Sequence, residues 1–133
     1  MKYKKYFRKS SIKKQKVGTF FLNEIQKKNP KTFLEIGVFH GVTARNVCDL
    51  MHKNHGKEFK YIGIDIFEQS DQFKKEIAPS FEFKNPLKKI YFKYIKKQDP
   101  YSVEAVKDLL KKYKNNIKII KGDTNKILKK IDL

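Results

Sequence analysis

Three short apolar runs constrain what this chain can fold into. They are "FLEIGV" (33–38), "YIGIDI" (61–66) and "IKIIK" (117–121), all of strand length, the last two rich in isoleucine. The segments between them have helical spacing instead. Residues 42–54 place Val42, Val47, Leu50 and Met51 on one face, and residues 101–114 do the same with Val103, Val106, Leu110 and Tyr113. Strands alternating with helices predict parallel pairing through right-handed crossovers. The expected fold is α/β, a Rossmann-like doubly wound sheet with parallel strands that stops after the third strand.

Further elements follow from the same patterns. A helix over 17–28, with Val17, Phe21 and Ile25 (and Phe20) at helical spacing, should precede the first strand and end near Asn29-Pro30. The first strand is expected over 32–38 and the second over 59–66. Asp99-Pro100 opens the later helix, and "GDTNKILKKI" turns the third strand into a short one. At 133 residues there is room for one domain. Residues 1–16 carry eight basic and no acidic side chains and read as a mobile or surface-lying basic arm. Residues 17–133 then form the domain, interrupted by an insertion or lid at 67–98 that starts with a short helix at 70–77.

The net charge of +18 comes almost entirely from lysine, with arginine only at Arg8 and Arg45. Such a charge attracts polyanions, but a general lysine bias is the favoured explanation. The run 84–97 interleaves lysines with Tyr91, Phe92 and Tyr94. It reads either as a nucleic-acid surface or as an amphipathic cover over a crevice, and the cover is favoured. No apolar run reaches the ~20 residues that span a bilayer. The single cysteine, Cys48, excludes an internal disulfide framework and a multi-cysteine zinc site. Without a signal-like apolar stretch at its start, the chain is expected in the cytoplasm.

In folds of this class the ligand lies at the carboxyl ends of the strands. All three ends carry suggestive residues. Gly37 and Gly41 follow the first strand, spaced so that the backbone can turn sharply and approach a ligand. Asp65 ends the second, where a carboxylate can accept both hydroxyls of a ribose. Gly122-Asp123-Thr124 follows the third, within reach of an adenine edge. His40 lies inside the glycine loop and reads as a polar loop residue or a general base. His52 and His55 lack partners at metal-ligand spacing, and Cys48 reads as a small buried apolar residue.

"FLEIGVFHGVTA" resembles the first motif of class I S-adenosylmethionine-dependent methyltransferases, acidic-x-Gly-x-x-x-Gly. "YIGIDIFE" resembles their second motif, and "IKIIKGDTNKIL" the segment after their third strand. The pairing of "EIGVFHG" with "GID" is most similar to the small O-methyltransferase-like group. The resemblance implies an S-adenosyl-L-methionine site in which Glu35 lies near the methionine end of the cofactor and fixes the glycine loop. It further implies that Gly37 and Gly41 line the cofactor, Asp65 binds the ribose, and Asp123 meets the adenine amino group. The competing reading of Glu35 is a strand-end carboxylate that caps the next helix or pairs with a lysine.

Two departures shape the expectation. Phe39 stands where a dinucleotide fingerprint has its central glycine, which disfavours a pyrophosphate and leaves a methyltransferase cofactor open. The chain also stops where a fourth strand would begin, so it is expected to be the cofactor-binding portion of an enzyme. The bare edge of the first strand then invites an oligomer or a complementing chain. The expected function is methyl transfer to a small-molecule or saccharide acceptor. The alternative is a basic α/β module that binds RNA or another polyanion without catalysis.

Overall fold

The computed structural model describes residues 1–67 and 83–131. The helix expected at 70–77 lies outside the described residues. The elements run α1 (Gln15–Lys28), β1 (Thr32–Ile36), α2 (Val42–His55), β2 (Lys60–Asp65) and α3 (Pro86–Ile90), which continues as a π turn over Tyr91–Ile95. They continue with α4 (Val103–Leu109), a 3-10 turn over Lys111–Tyr113, β3 (Ile117–Lys121), and α5 (Thr124–Ile127) closed by a 3-10 turn.

The strands form one parallel sheet in the order β1-β2-β3. Phe33 pairs with Tyr61 and Glu35 with Gly63 in one ladder; Gly63 pairs with Ile119 and Asp65 with Lys121 in the other. Alternation puts Phe33, Tyr61, Ile117 and Ile119 on one face, where they join the main hydrophobic core with α1, α2 and α4. Ile62 and Ile64 point the other way and are buried too. Two buried faces on β2 are what a parallel sheet requires. Among the described residues no strand lies along the second edge of β1.

Three expectations are corrected. The first strand ends at Ile36, because Gly37 takes φ 81° and Val38 drops into the core as part of a loop. The later helix is shorter than 101–114: Ser102 caps its start by accepting from the Ala105 amide, and the chain tightens into a 3-10 turn after Leu110. The inner face of α1 is rotated by a residue from the expected one. Gly18, Leu22 and Ile25 are buried, whereas Val17 and Phe20 are 53% and 65% exposed.

The cause of that rotation is the basic N-terminal segment, which is packed rather than free. Tyr3 is 2% exposed and lies on Gly18, while its hydroxyl meets Ser10 Oγ and Thr43 Oγ1, each at 2.9 Å. The Lys4 amide donates to Asn46 Oδ1 at 2.8 Å, and Asn46 Nδ2 donates back to the Lys4 carbonyl at 2.7 Å. Tyr6 and Tyr113 both donate to the Asp49 carboxylate, which Arg45 also grips at 3.0 Å. Asp49 therefore ties the N-terminal segment, α2 and the turn after α4 together.

Candidate functional site

The carboxyl ends of the strands converge on one edge of the sheet. The glycine loop leaves β1 with left-handed backbone at Gly37 (φ 81°), Phe39 (φ 53°) and Gly41 (φ 74°). Gly37 anchors it by donating its amide to the Ile64 carbonyl at 2.9 Å. Among the described residues no atom beyond its chain neighbours lies within 4 Å of where a Gly37 side chain would stand. Gly41 is different. A side chain there would meet Val106 at 3.2 Å, so this glycine lets α4 approach the start of α2.

Phe39 is the residue that departs from the dinucleotide pattern, yet it keeps the left-handed backbone a glycine would take. That conformation costs a non-glycine residue about 1 kcal/mol or more. Asp65 supports it: its Oδ2 accepts the Phe39 amide at 2.7 Å. Asp65 Oδ1 accepts the Tyr101 hydroxyl at 2.7 Å and the Phe67 amide at 3.3 Å. The Asp65 carbonyl in turn accepts the Gly122 amide at 3.0 Å, which fastens the third loop to the end of β2. Sequence reasoning missed the contact between Tyr101 and Asp65. Its only local signal is its place between Asp99-Pro100 and the Ser102 cap, and nothing there points to Asp65.

Glu35 is half-buried and accepts the Tyr61 hydroxyl at 2.5 Å across the β1–β2 ladder. Among the described residues it neither caps α2 nor pairs with a lysine: Gly41 caps that helix, with no side-chain bond. Burial raises its pKa to about 7; the Tyr61 bond opposes the rise, and the Asp65 charge adds to it. Asp123 is exposed and caps α5, accepting the Asn125 amide at 2.9 Å. Glu35, Gly37 and Asp65 thus lie together with the Gly122–Asp123 turn, while Gly41 faces α4.

His40 is fully buried, stacked on Phe39 with ring centroids 4.1 Å apart. Cys48 is buried, and burial pushes its thiol well above the usual range, which leaves it without nucleophilic character at neutral pH. His52 Nδ1 bonds the Gly56 carbonyl at 2.7 Å at the end of α2. An open cavity of about 250 Å³ is lined by Phe83, Phe92, Asp99 and Pro100 among others. Phe83 belongs to the loop's surroundings as well, its ring 5.7 Å from that of His40.

A parallel sheet whose strand ends bring a glycine loop, an acid and a second glycine turn together defines a Rossmann-like domain. The chain belongs to the methyltransferase domain family, whose model matches residues 34–132, and is a class I S-adenosylmethionine methyltransferase domain. No curated protein and no solved structure matches the chain. Among the described residues no helix is long and apolar enough to cross a membrane.

Proposed function

We propose that this domain binds S-adenosyl-L-methionine and serves methyl transfer to an oxygen or nitrogen of a small-molecule or saccharide acceptor. The observation that carries the reading is Asp65. It ends the middle strand, and it holds the glycine loop through Phe39 and the third loop through Gly122. A carboxylate there has four lone-pair sites, of which three are used by Phe39, Phe67 and Tyr101. Ribose hydroxyls would take the fourth and replace the Tyr101 hydroxyl.

The remaining residues fit the same cofactor. The open space at Gly37 admits the methionine part next to Glu35, and exposed Asp123 is available to an adenine amino group. The cofactor supplies an electrophilic methyl group, taken by the acceptor in a direct displacement. The domain's work is alignment and exclusion of water.

The aromatic residues of the 84–97 run favour this reading over RNA binding. Phe92 is buried and stacked on Phe83 at 5.2 Å, and Tyr91 meets Phe7 edge-on at 5.5 Å. Tyr94 alone of the three aromatics in that run is exposed, at 62%. Base stacking needs free ring faces.

Calorimetric titration with S-adenosylhomocysteine at low and moderate salt tests the reading. Saturable binding that hardly changes with salt is expected of a zwitterionic cofactor. A folded chain that binds no S-adenosylhomocysteine, yet binds RNA with a steep salt dependence, would overturn it.

A further inference from the structure

The helix α3 and the π turn that continues it bury one ring and turn the rest of their apolar surface outward. Phe92 packs on the domain, stacked on Phe83 and covered by the Arg8 guanidinium at 5.3 Å. Leu87, Ile90, Tyr94 and Ile95 are between 50% and 69% exposed. Helices of globular domains normally point such side chains at the core. Among the described residues nothing buries these four.

The exposed side chains form one face. Leu87, Ile90 and Tyr94 stand three and four residues apart, so they line one side of the helix. The π turn adds Ile95. Its bond runs from the Lys96 amide to the Tyr91 carbonyl at 2.9 Å, five residues back rather than four, so Tyr94 and Ile95 both lie one turn beyond Ile90. Phe7 extends the face from the N-terminal segment. In the left-handed turn of Tyr6 (φ 49°) and Phe7 (φ 55°), the Phe7 ring is 48% exposed and edge-on to Tyr91, with Lys88 Nζ 5.0 Å from its centre.

Positive charge borders this face. Residues 84–97 hold six lysines and no acidic side chain. Lys84, Lys89, Lys93 and Lys97 are exposed, and Lys93 Nζ lies 5.3 Å from the centre of the Tyr94 ring. Lys5, just before the left-handed turn, is exposed as well. Lys96 is committed to Asp108 at 2.9 Å.

We infer that this face docks on an anionic lipid bilayer, with the helix lying in the plane of the membrane surface. Leu87, Ile90 and Ile95 enter the acyl boundary, and the Phe7 and Tyr94 rings sit at headgroup level. The lysines lay their stems along the apolar face and reach up to the lipid phosphates. Lysine suits this partner. Its flexible point charge meets mobile headgroups without a fixed geometry, whereas the arginine fork suits the fixed phosphates of RNA or the carboxylates of a protein groove. Exposed aliphatic side chains also add nothing to base stacking.

The test sediments the full chain with vesicles of phosphatidylcholine alone and of equal parts phosphatidylserine and phosphatidylcholine. Binding to the anionic vesicles only, weakened by salt, is expected. The double variant Leu87→Gln, Ile90→Gln should lose that binding by about tenfold or more. Phe20→Gln, at an exposed ring on α1, should keep it. The chain has no tryptophan, so Ile95→Trp reports insertion directly. Its emission should shift to the blue and escape an aqueous quencher on anionic vesicles, while that of Phe20→Trp stays unshifted. A folded wild-type chain that ignores anionic vesicles overturns the inference. So does binding that the double variant keeps in full with no blue shift from Ile95→Trp, the mark of general lysine charge. A blue shift without vesicles that grows with protein concentration gives the face to a second copy of the chain and overturns the lipid assignment. None of these readouts involves S-adenosylmethionine, so the docking face stands or falls apart from the methyl-transfer reading.

Discussion

Asp65 accepts the backbone amide of Phe39 at 2.7 Å, so the acid that ends β2 holds the loop that leaves β1. One side chain therefore sets both the shape of the glycine loop and the electrostatics of the crevice. Charge-assisted bonds of this kind are worth about 1.5–3 kcal/mol each. That coupling also means Asp65 cannot be removed without loosening the loop.

Asp65→Asn should lower the melting temperature and weaken S-adenosylhomocysteine binding tenfold or more. The amide keeps one accepting oxygen where the carboxylate had two, and Phe39 loses its support. Thermal melts and calorimetry on the same preparation separate the two effects. Unchanged affinity would remove Asp65 from the cofactor site.

Tyr101→Phe should tighten S-adenosylhomocysteine binding by a few-fold. The Tyr101 hydroxyl occupies Asp65 Oδ1 at 2.7 Å, where the proposed ribose hydroxyl would bind. Removing it frees an acceptor that binding must otherwise strip of its donor. Weaker binding by the variant would show that Tyr101 itself holds the cofactor.

Gly18→Ala should expel the N-terminal segment from its groove. A methyl group at Gly18 would come within 2.4 Å of the Tyr3 ring, too close for α1 and Tyr3 to keep their places. A cost of about 1–3 kcal/mol is expected, as for other overpacked sites. Limited proteolysis within residues 1–14 reads the release directly; an unchanged cleavage rate would contradict the packing.

Stability should depend on pH through Glu35 and His40, with opposite signs. Glu35 has its pKa raised from 4.5 to about 7, so the folded state holds that proton more tightly. Its contribution is present below about 4.5 and lost as pH rises through 7. His40 has its pKa lowered from 6.5 to about 3, so the unfolded chain takes up that proton first. Its contribution is complete above 6.5 and lost as pH falls towards 3. Glu35→Gln should flatten the neutral limb of the melting profile, and His40→Leu the acid limb. The effects should be on the order of 2 kcal/mol for half-buried Glu35 and a few kcal/mol for His40. Profiles parallel to wild type would contradict both assignments.

Much of the fold was legible because it depends on short-range pattern. The strand cores at 33–36, 61–65 and 117–121 are runs of β-branched and aromatic residues that fit a sheet and little else. The inner face of α2, with Val42, Val47, Leu50 and Met51, follows from helical periodicity. The places of Gly37 and Asp65 at the carboxyl edge of the sheet were legible because parallel strands bring those ends to one side.

What only the tertiary structure decided are contacts between residues far apart in the chain. Which face of α1 turns inward depends on Tyr3, because a ring from another segment fits only where Gly18 has no side chain. Eight basic residues disguise the first sixteen as a solvated arm, yet Tyr3 and Arg8 are buried in the domain. The donor on Asp65 comes from Tyr101, and the donor on Glu35 from Tyr61. The sequence by itself determined which residues form strands and helices and where the glycine turn leaves the first strand, since periodicity and glycine placement act locally. The charge states of Glu35 and His40 were set by burial, which depends on how distant segments pack.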